Sequence, residues 1–225
     1  MLLQIATTGA ENLVENSEET ITIFSLLLKG GYMIIPILIL WIAGVYIFVE
    51  RVLTIRSASK TPDNFREEIR MKVKHGDING AKLLCTQVGT PIAKMIDKGI
   101  SRIGSPLKNI EVSIENIGKI EIYKLEKHLS LLATISGAAP MIGFLGTVTG
   151  MIQAFISIAQ EEGAVSPKLL SSGIYEAMVT TAAGLFVGIL AYLGYNYLVA
   201  RVQKVIHTME YNSIDFIDLL QEPQK

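Results

Sequence analysis

Charge is distributed very unevenly along the chain. No charged residue falls between Lys29 and Glu50, none from Leu129 to Gln160, and none from Ala177 to Ala200. A helix needs about 20 predominantly apolar residues to cross the hydrocarbon of a bilayer. The three uncharged stretches therefore predict three transmembrane helices, over residues 29–50, 128–159 and 169–200. The intervening parts read as an N-terminal tail (1–28), a long helical segment (51–127), a short hairpin (160–168) and a C-terminal helix (201–225).

The long polar segment carries helix starts rather than strand alternation. "TPDNFREEIRMKVK" offers Thr61 as an N-cap, with Pro62 at the first helical position and acids in the first turn. "GDINGAKLLCTQ" restarts after Gly76 with Asp77 as cap, and "TPIAKMIDKGISRI" repeats the Thr-Pro opening. From Ser105-Pro106 onward, Ile110, Ile114, Ile117, Leu125 and Leu129 keep a helical period, with no break before the second span. One long helix running out of span two is expected. Span three is likewise expected to continue past Arg201, with Val202, Val205, Ile206 and Met209 on one side. No strand pattern and no internal repeat is visible. The fold class is an all-α membrane protein with long helical extensions.

Basic residues set orientation. The tail holds Glu11, Glu15, Glu18 and Glu19, whereas Arg51, Arg56 and Lys60 follow span one at once and Arg201 and Lys204 follow span three. The expected topology has the N-terminus outside, the long segment inside, the hairpin outside and the C-terminus inside. The opening "MLLQIATTGAENLVENSEET" lacks the basic start and apolar core of a signal peptide. It is expected to be retained as an acidic tail.

Span faces differ. Successive helical residues step about 100° around the axis. On span two, Ser136, Pro140, Gly143, Gly150 and Ala154 fall within roughly a sixth of a turn of Thr147. On span three, Ala177, Gly184, Gly188 and Ala191 line up in the same way with Thr181. Span one is bulky nearly all round and suits lipid. Small-xxx-small spacing, as in Gly146/Gly150 and Gly184/Gly188, ordinarily marks close helix packing. Packing accounts for the glycines, and less well for Thr147, Thr181 and Glu176. Glu176 lies near the outer end of span three, where a carboxylate deep in lipid would cost on the order of 3 kcal/mol. It either faces an interior or sits at headgroup level.

Composition narrows the chemistry. Of 225 residues, 50% are apolar, and the net charge is only -1. A single cysteine, Cys85, excludes an internal disulfide and a Cys-rich metal site. Cys85, His75, His128 and His207 read as ordinary surface or core residues. There is no nucleophile–base pair, no metal-ligand spacing and no phosphate-cradling glycine loop. Neither enzymatic activity nor a cofactor, metal or nucleic-acid partner is expected. No carboxylate, histidine or lysine occupies the middle third of any span, so if the chain conducts protons, either another chain brings the titratable group or a file of water passes the threonine-lined stripe. Three spans cannot enclose a lumen alone, but several copies using the same two faces can close a ring.

"APMIGFLGTVTGMIQAF" and "GIYEAMVTTAAGLFVGILAYLGYNY", with "GGYMIIPILILWIAGVYIFVERVLTI" before them, closely resemble the ExbB/TolQ/MotA proton-channel family, ExbB and TolQ above all. The resemblance implies a subunit of a bacterial inner-membrane motor that assembles as a ring, expected to be a homopentamer. The ring surrounds a single-span partner of the ExbD/TolR type, which carries the membrane aspartate, and the complex drives a TonB-type transducer. By motif, Thr147 and Thr181 match the family's pore-lining threonines and Glu176 its acid in the third span. The small residues Ser136, Pro140, Gly143, Gly150, Ala177, Gly184 and Gly188 would face the pore. Met178 departs conservatively from the family's usual leucine. A TolQ-like role in envelope maintenance and a non-conducting scaffold are the alternative expectations.

Overall fold

The computed structural model describes residues 31–62, 64–160 and 167–221. The tail expected over 1–28 and most of the hairpin expected over 160–168 lie outside these residues. The described chain forms α1 (Ile34–Ala58), α2 (Phe65–Lys74), α3 (Ile78–Val88), α4 (Pro91–Ile100), α5 (Leu107–Glu126), α6 (Leu129–Gln160) and α7 (Pro167–Gln221). No strand occurs among the described residues. Helices α1, α6 and α7 are long and apolar enough to cross a membrane.

The membrane part is a three-helix arrangement in which α6 and α7 pack along their length and α1 leans on both. Ile37 and Ile47 of α1 meet a core of Leu132, Ile135 and Ala139 from α6 and Val187, Ala191 and Leu198 from α7. The opposite side of α1 exposes Ile35, Leu38, Ile39, Ile42, Tyr46, Val49 and Leu53, which suits hydrocarbon. That exposure agrees with the bulky pattern of span one.

A polar helical module hangs from this part. Its centre is α4, in which Pro91, Ile92, Ala93, Met95, Ile96, Gly99 and Ile100 are all buried. Thr90 caps it by accepting from the Ala93 N–H, with Pro91 in the first turn, as the Thr-Pro opening predicts. Asp77 caps α3 by accepting from Gly80 N at 2.9 Å. At the other end of α3, Gly89 takes φ 64 and its N–H returns to the Cys85 carbonyl, the left-handed stop that glycine allows. The expected Thr61 cap is not formed. α2 starts at Phe65 instead, and Thr61 donates to the Thr90 hydroxyl at 3.2 Å. Its side chain is thus drawn to a partner on the next helix pair rather than to its own first turn.

Two continuations out of the membrane behave differently. α7 runs unbroken to Gln221, and Val202, Val205 and Met209 are buried on one side as their period predicts. The expected single helix through span two is broken. Lys127 has ψ 136 and His128 φ 66, so α5 ends and α6 begins with a sharp joint between them. The apolar period continues across the joint, with Leu125 and Leu129 both buried, which is why the pattern did not reveal it.

α4 meets α5 and the end of α7 with no room to spare. A Cβ at Gly99 would lie 2.7 Å from Phe216 Cε1 and 2.8 Å from Ile114 Cδ1. Both side chains are almost fully buried and cannot swing aside. We predict that Gly99→Ala destabilises the protein by about 1 kcal/mol in a thermal melt, because overpacking of about 1–3 kcal/mol outweighs the roughly 1 kcal/mol helix gain of alanine. A higher melting temperature would refute the tight contact. Cys85 is buried on α3, and burial, with a smaller contribution from the Asp97 charge, pushes its thiol up to about 12. The reactive thiolate is then scarce at pH 8. We predict negligible maleimide labelling of the native chain at that pH and rapid labelling after denaturation.

Candidate functional site: the α6–α7 hairpin

Residues without side chains bring α6 and α7 to backbone contact. A Cβ at Gly143 would stand 3.0 Å from the Thr180 carbonyl oxygen and 3.1 Å from Gly184 Cα. A Cβ at Gly184 would stand 2.6 Å from the Ala139 carbonyl oxygen. One turn on, Gly146 leaves space for Thr180, whose Oγ1 would lie 2.7 Å from an added Cβ. Gly150 faces Ala177, and Gly188 faces the Pro140 ring and the Ser136 carbonyl. Proline has no N–H to offer that carbonyl four residues back. Hence Ser136, Pro140, Gly143, Gly150, Ala177, Gly184 and Gly188 are brought together as one seam, on which the two helices of a single chain meet.

The hydroxyls sit along this seam. Thr181 Oγ1 donates across it to the Gly143 carbonyl at 2.9 Å. Thr147, one turn from Gly143 and half-buried, donates back to the Phe144 carbonyl of its own helix. Thr180 is 1% exposed and donates to the Ala177 carbonyl at 2.8 Å. Thr180 and Thr181 therefore divide the work: Thr180 fills the gap over Gly146, and Thr181 ties the helices together.

Glu176 stands one turn before Thr180 and is half-buried. Its carboxylate reaches the chain just ahead of α1. Glu176 Oε1 occupies the place that a side chain at Gly31, where φ is 64, would take. The acid thus couples α7 to the entry of α1 at one end of the bundle.

A second polar cluster, at the other end, was not singled out from the sequence. Arg51 is only 4% exposed. It pairs with Glu50 through both Nε and Nη2, and its Nη1 donates to the Lys124 carbonyl at 3.0 Å. That carbonyl belongs to the last turn of α5, where acceptors are left free because the helix stops. His128 Nδ1 stands 3.7 Å from Glu50 Oε2. A buried guanidinium requires such pairing. The only trace in the sequence is an acid–base pair abutting the end of an apolar run. Nearby, Glu121 accepts from Lys94 at 3.0 Å and Lys124 at 2.6 Å, joining α4 to α5. Among the described residues, no group of three or more His, Cys, Asp or Glu could hold a metal ion.

Residues 87–211 match the model of the MotA/TolQ/ExbB proton channel family. They comprise more than half of the chain and include all of α6 and the part of α7 that forms the seam. The chain belongs to this family. It is 26% identical over 191 residues to a biopolymer transport protein ExbB homolog of Methanothermobacter thermautotrophicus, covering 84% of this chain and 67% of that protein. It is 32% identical over 139 residues to the biopolymer transport protein ExbB of Aquifex aeolicus, covering 61% of this chain and 87% of the relative. With the Tol-Pal system protein TolQ of Haemophilus influenzae it shares 39% identity over 85 residues, 38% of this chain and 37% of the relative.

The seam makes a specific claim about glycine. We predict that Gly184→Val destabilises the hairpin by about 1–3 kcal/mol, because the new side chain meets the backbone of α6. Gly137→Val, where an added Cβ finds nothing within 4 Å, should leave it unchanged. Unfolding in a graded detergent titration, followed by circular dichroism, reads both. Equal losses in the two variants would remove the argument.

Proposed function

We propose that the chain is the ring-forming subunit of a proton-driven motor in the bacterial inner membrane, with the polar module on the cytoplasmic side. The ring, expected to be a pentamer, surrounds an ExbD/TolR-like single-span protein and works on a TonB-like transducer that powers outer-membrane transport. Protons enter near Glu176 and pass the Thr181/Thr147 edge of the seam to a carboxylate carried by the partner. The driving force is about 2.3 kcal/mol per charge per 100 mV.

The observation that carries this reading is the Thr181–Gly143 hydrogen bond inside a family-matched hairpin whose middle holds no titratable group of its own. Threonine does not titrate near neutrality, so the chain supplies a polar wall and the acceptor comes in trans. Close approach through glycine keeps that wall narrow, which lets a partner helix turn beside it. The excess of Arg and Lys after spans one and three supports the orientation. The 39% identity to a TolQ protein favours a second reading, in which the same motor serves envelope maintenance.

The test compares Thr181→Val, Thr147→Val and Thr181→Ser. Valine keeps the shape of threonine and removes the hydroxyl. The lost cross-helix bond itself costs only about 0.6 kcal/mol in a membrane protein, so assembly is expected to persist. Energised uptake should fall at least tenfold in the double valine variant and survive in Thr181→Ser. Full uptake in the double variant would sink the proton path and leave the scaffold reading. Glu176→Gln is an independent arm, and full function there would make Glu176 an interfacial residue only.

A further inference from the structure

A groove of about 280 Å³ runs between α1 and α7, floored by Leu132 and Ile135 of α6. Every residue lining it is apolar, Trp41, Gly44 and Phe48 on one wall and Ala191 and Gly194 on the other among them. It is open at Gly44, where the α1 wall has no side chain. A Cβ at Gly44 would find nothing nearer than 3.8 Å. The α1 wall, from Leu40 to Phe48, is about 12 Å long at the helical rise. The space is an apolar slot between two membrane-spanning helices, long enough for part of an extended hydrocarbon chain.

The end of the groove nearest the polar module has a different chemistry. Phe48 and Tyr197 pair there, with ring centroids 6.3 Å apart. Arg201 lies over the Tyr197 ring at 5.2 Å and donates to its hydroxyl at 3.2 Å. Gly194, Tyr197 and Arg201 share one face of α7 by their spacing of three and four residues. The polar partner of the Arg201 guanidinium is the Tyr197 hydroxyl, and Lys204 follows one turn on. An apolar slot thus ends in an aromatic step and the Arg201 cation, with Lys204 one turn further along α7 and with Glu50 and Arg51 closing the uncharged run of α1.

We propose that this groove binds one anionic phospholipid, an acyl chain lying against Gly44 and Ala191 and the phosphate on Arg201 and Lys204. Lipid is the occupant because the slot is apolar along its whole lining and a cation, Arg201, stands past its aromatic end where the uncharged runs of α1 and α7 stop. A zwitterionic lipid would bring its own cation to that mouth and gain less.

Trp41 is the only tryptophan of the chain and lines the groove, so its fluorescence reports the occupant. The full-length protein is reconstituted in phosphatidylcholine containing a few per cent of either acyl-brominated phosphatidylglycerol or acyl-brominated phosphatidylcholine. At equal mole fraction, the brominated phosphatidylglycerol is expected to quench Trp41 at least twofold more. Arg201→Gln combined with Lys204→Gln should bring the two lipids level, and Arg201→Lys should keep the preference. Gly44→Leu, which fills the slot and leaves both cations, should also bring them level. Equal quenching in the native protein overturns the proposal. So does a preference that survives Gly44→Leu, which would reduce it to surface attraction. No quenching by either lipid overturns it as well, since a second copy of the chain would then cover Trp41.

Discussion

The contact of backbone on backbone between Gly143 and Gly184 is the constraint from which the membrane part follows. Inside a bilayer, association of helices gains little from apolar burial, because lipid is as apolar as leucine. Dispersion and hydrogen bonding do the holding, and both decay quickly with distance. Removing side chains along one stripe of each helix allows an approach at which the Thr181 hydroxyl reaches a carbonyl on the opposite helix. With the hairpin fixed, α1 leans on both of its helices, and the remaining apolar surfaces of all three helices are turned outward.

That arrangement gives the two ends of the bundle different tasks. At one end Glu176 meets the chain entering α1, so an acid, a helix start and the hairpin share one small volume. At the other end Arg51 closes the last turn of α5 and holds Glu50 and His128 around the joint. The continuous α7 links both ends and carries its buried face into the polar module, where Phe216 packs on Gly99. Motion of the hairpin would reach the module through α7 directly, and through α6 only by way of the Arg51 joint.

The architecture was largely legible because the bilayer imposes a coarse, one-dimensional code. Charge-free runs of span length gave α1, α6 and α7. Helical spacing of Val202, Val205 and Met209 gave the extension of α7. Two local readings failed for reasons a pattern cannot carry. Thr61 had every feature of a cap, yet its hydroxyl found Thr90 across a tertiary contact. The joint at Lys127–His128 preserves apolar phase while changing direction, and only backbone torsions disclose it. The buried Arg51 was legible only as a charge that orients a span.

Sequence alone determined what each segment is: which stretches enter lipid, which faces are small, where hydroxyls lie on them, and that no titratable group stands midway. These are properties of composition and helical period, local to each element. Tertiary structure decided which face meets which. It set Gly143 against Gly184, gave Thr181 a partner on another helix while Thr147 kept to its own, brought Glu176 to Gly31, and left a slot beside Trp41. The reason is geometric. A helix fixes the order of its side chains around its own axis, but the distance and angle to a neighbour come from the mutual fit of two surfaces, and that fit is not written in either surface by itself.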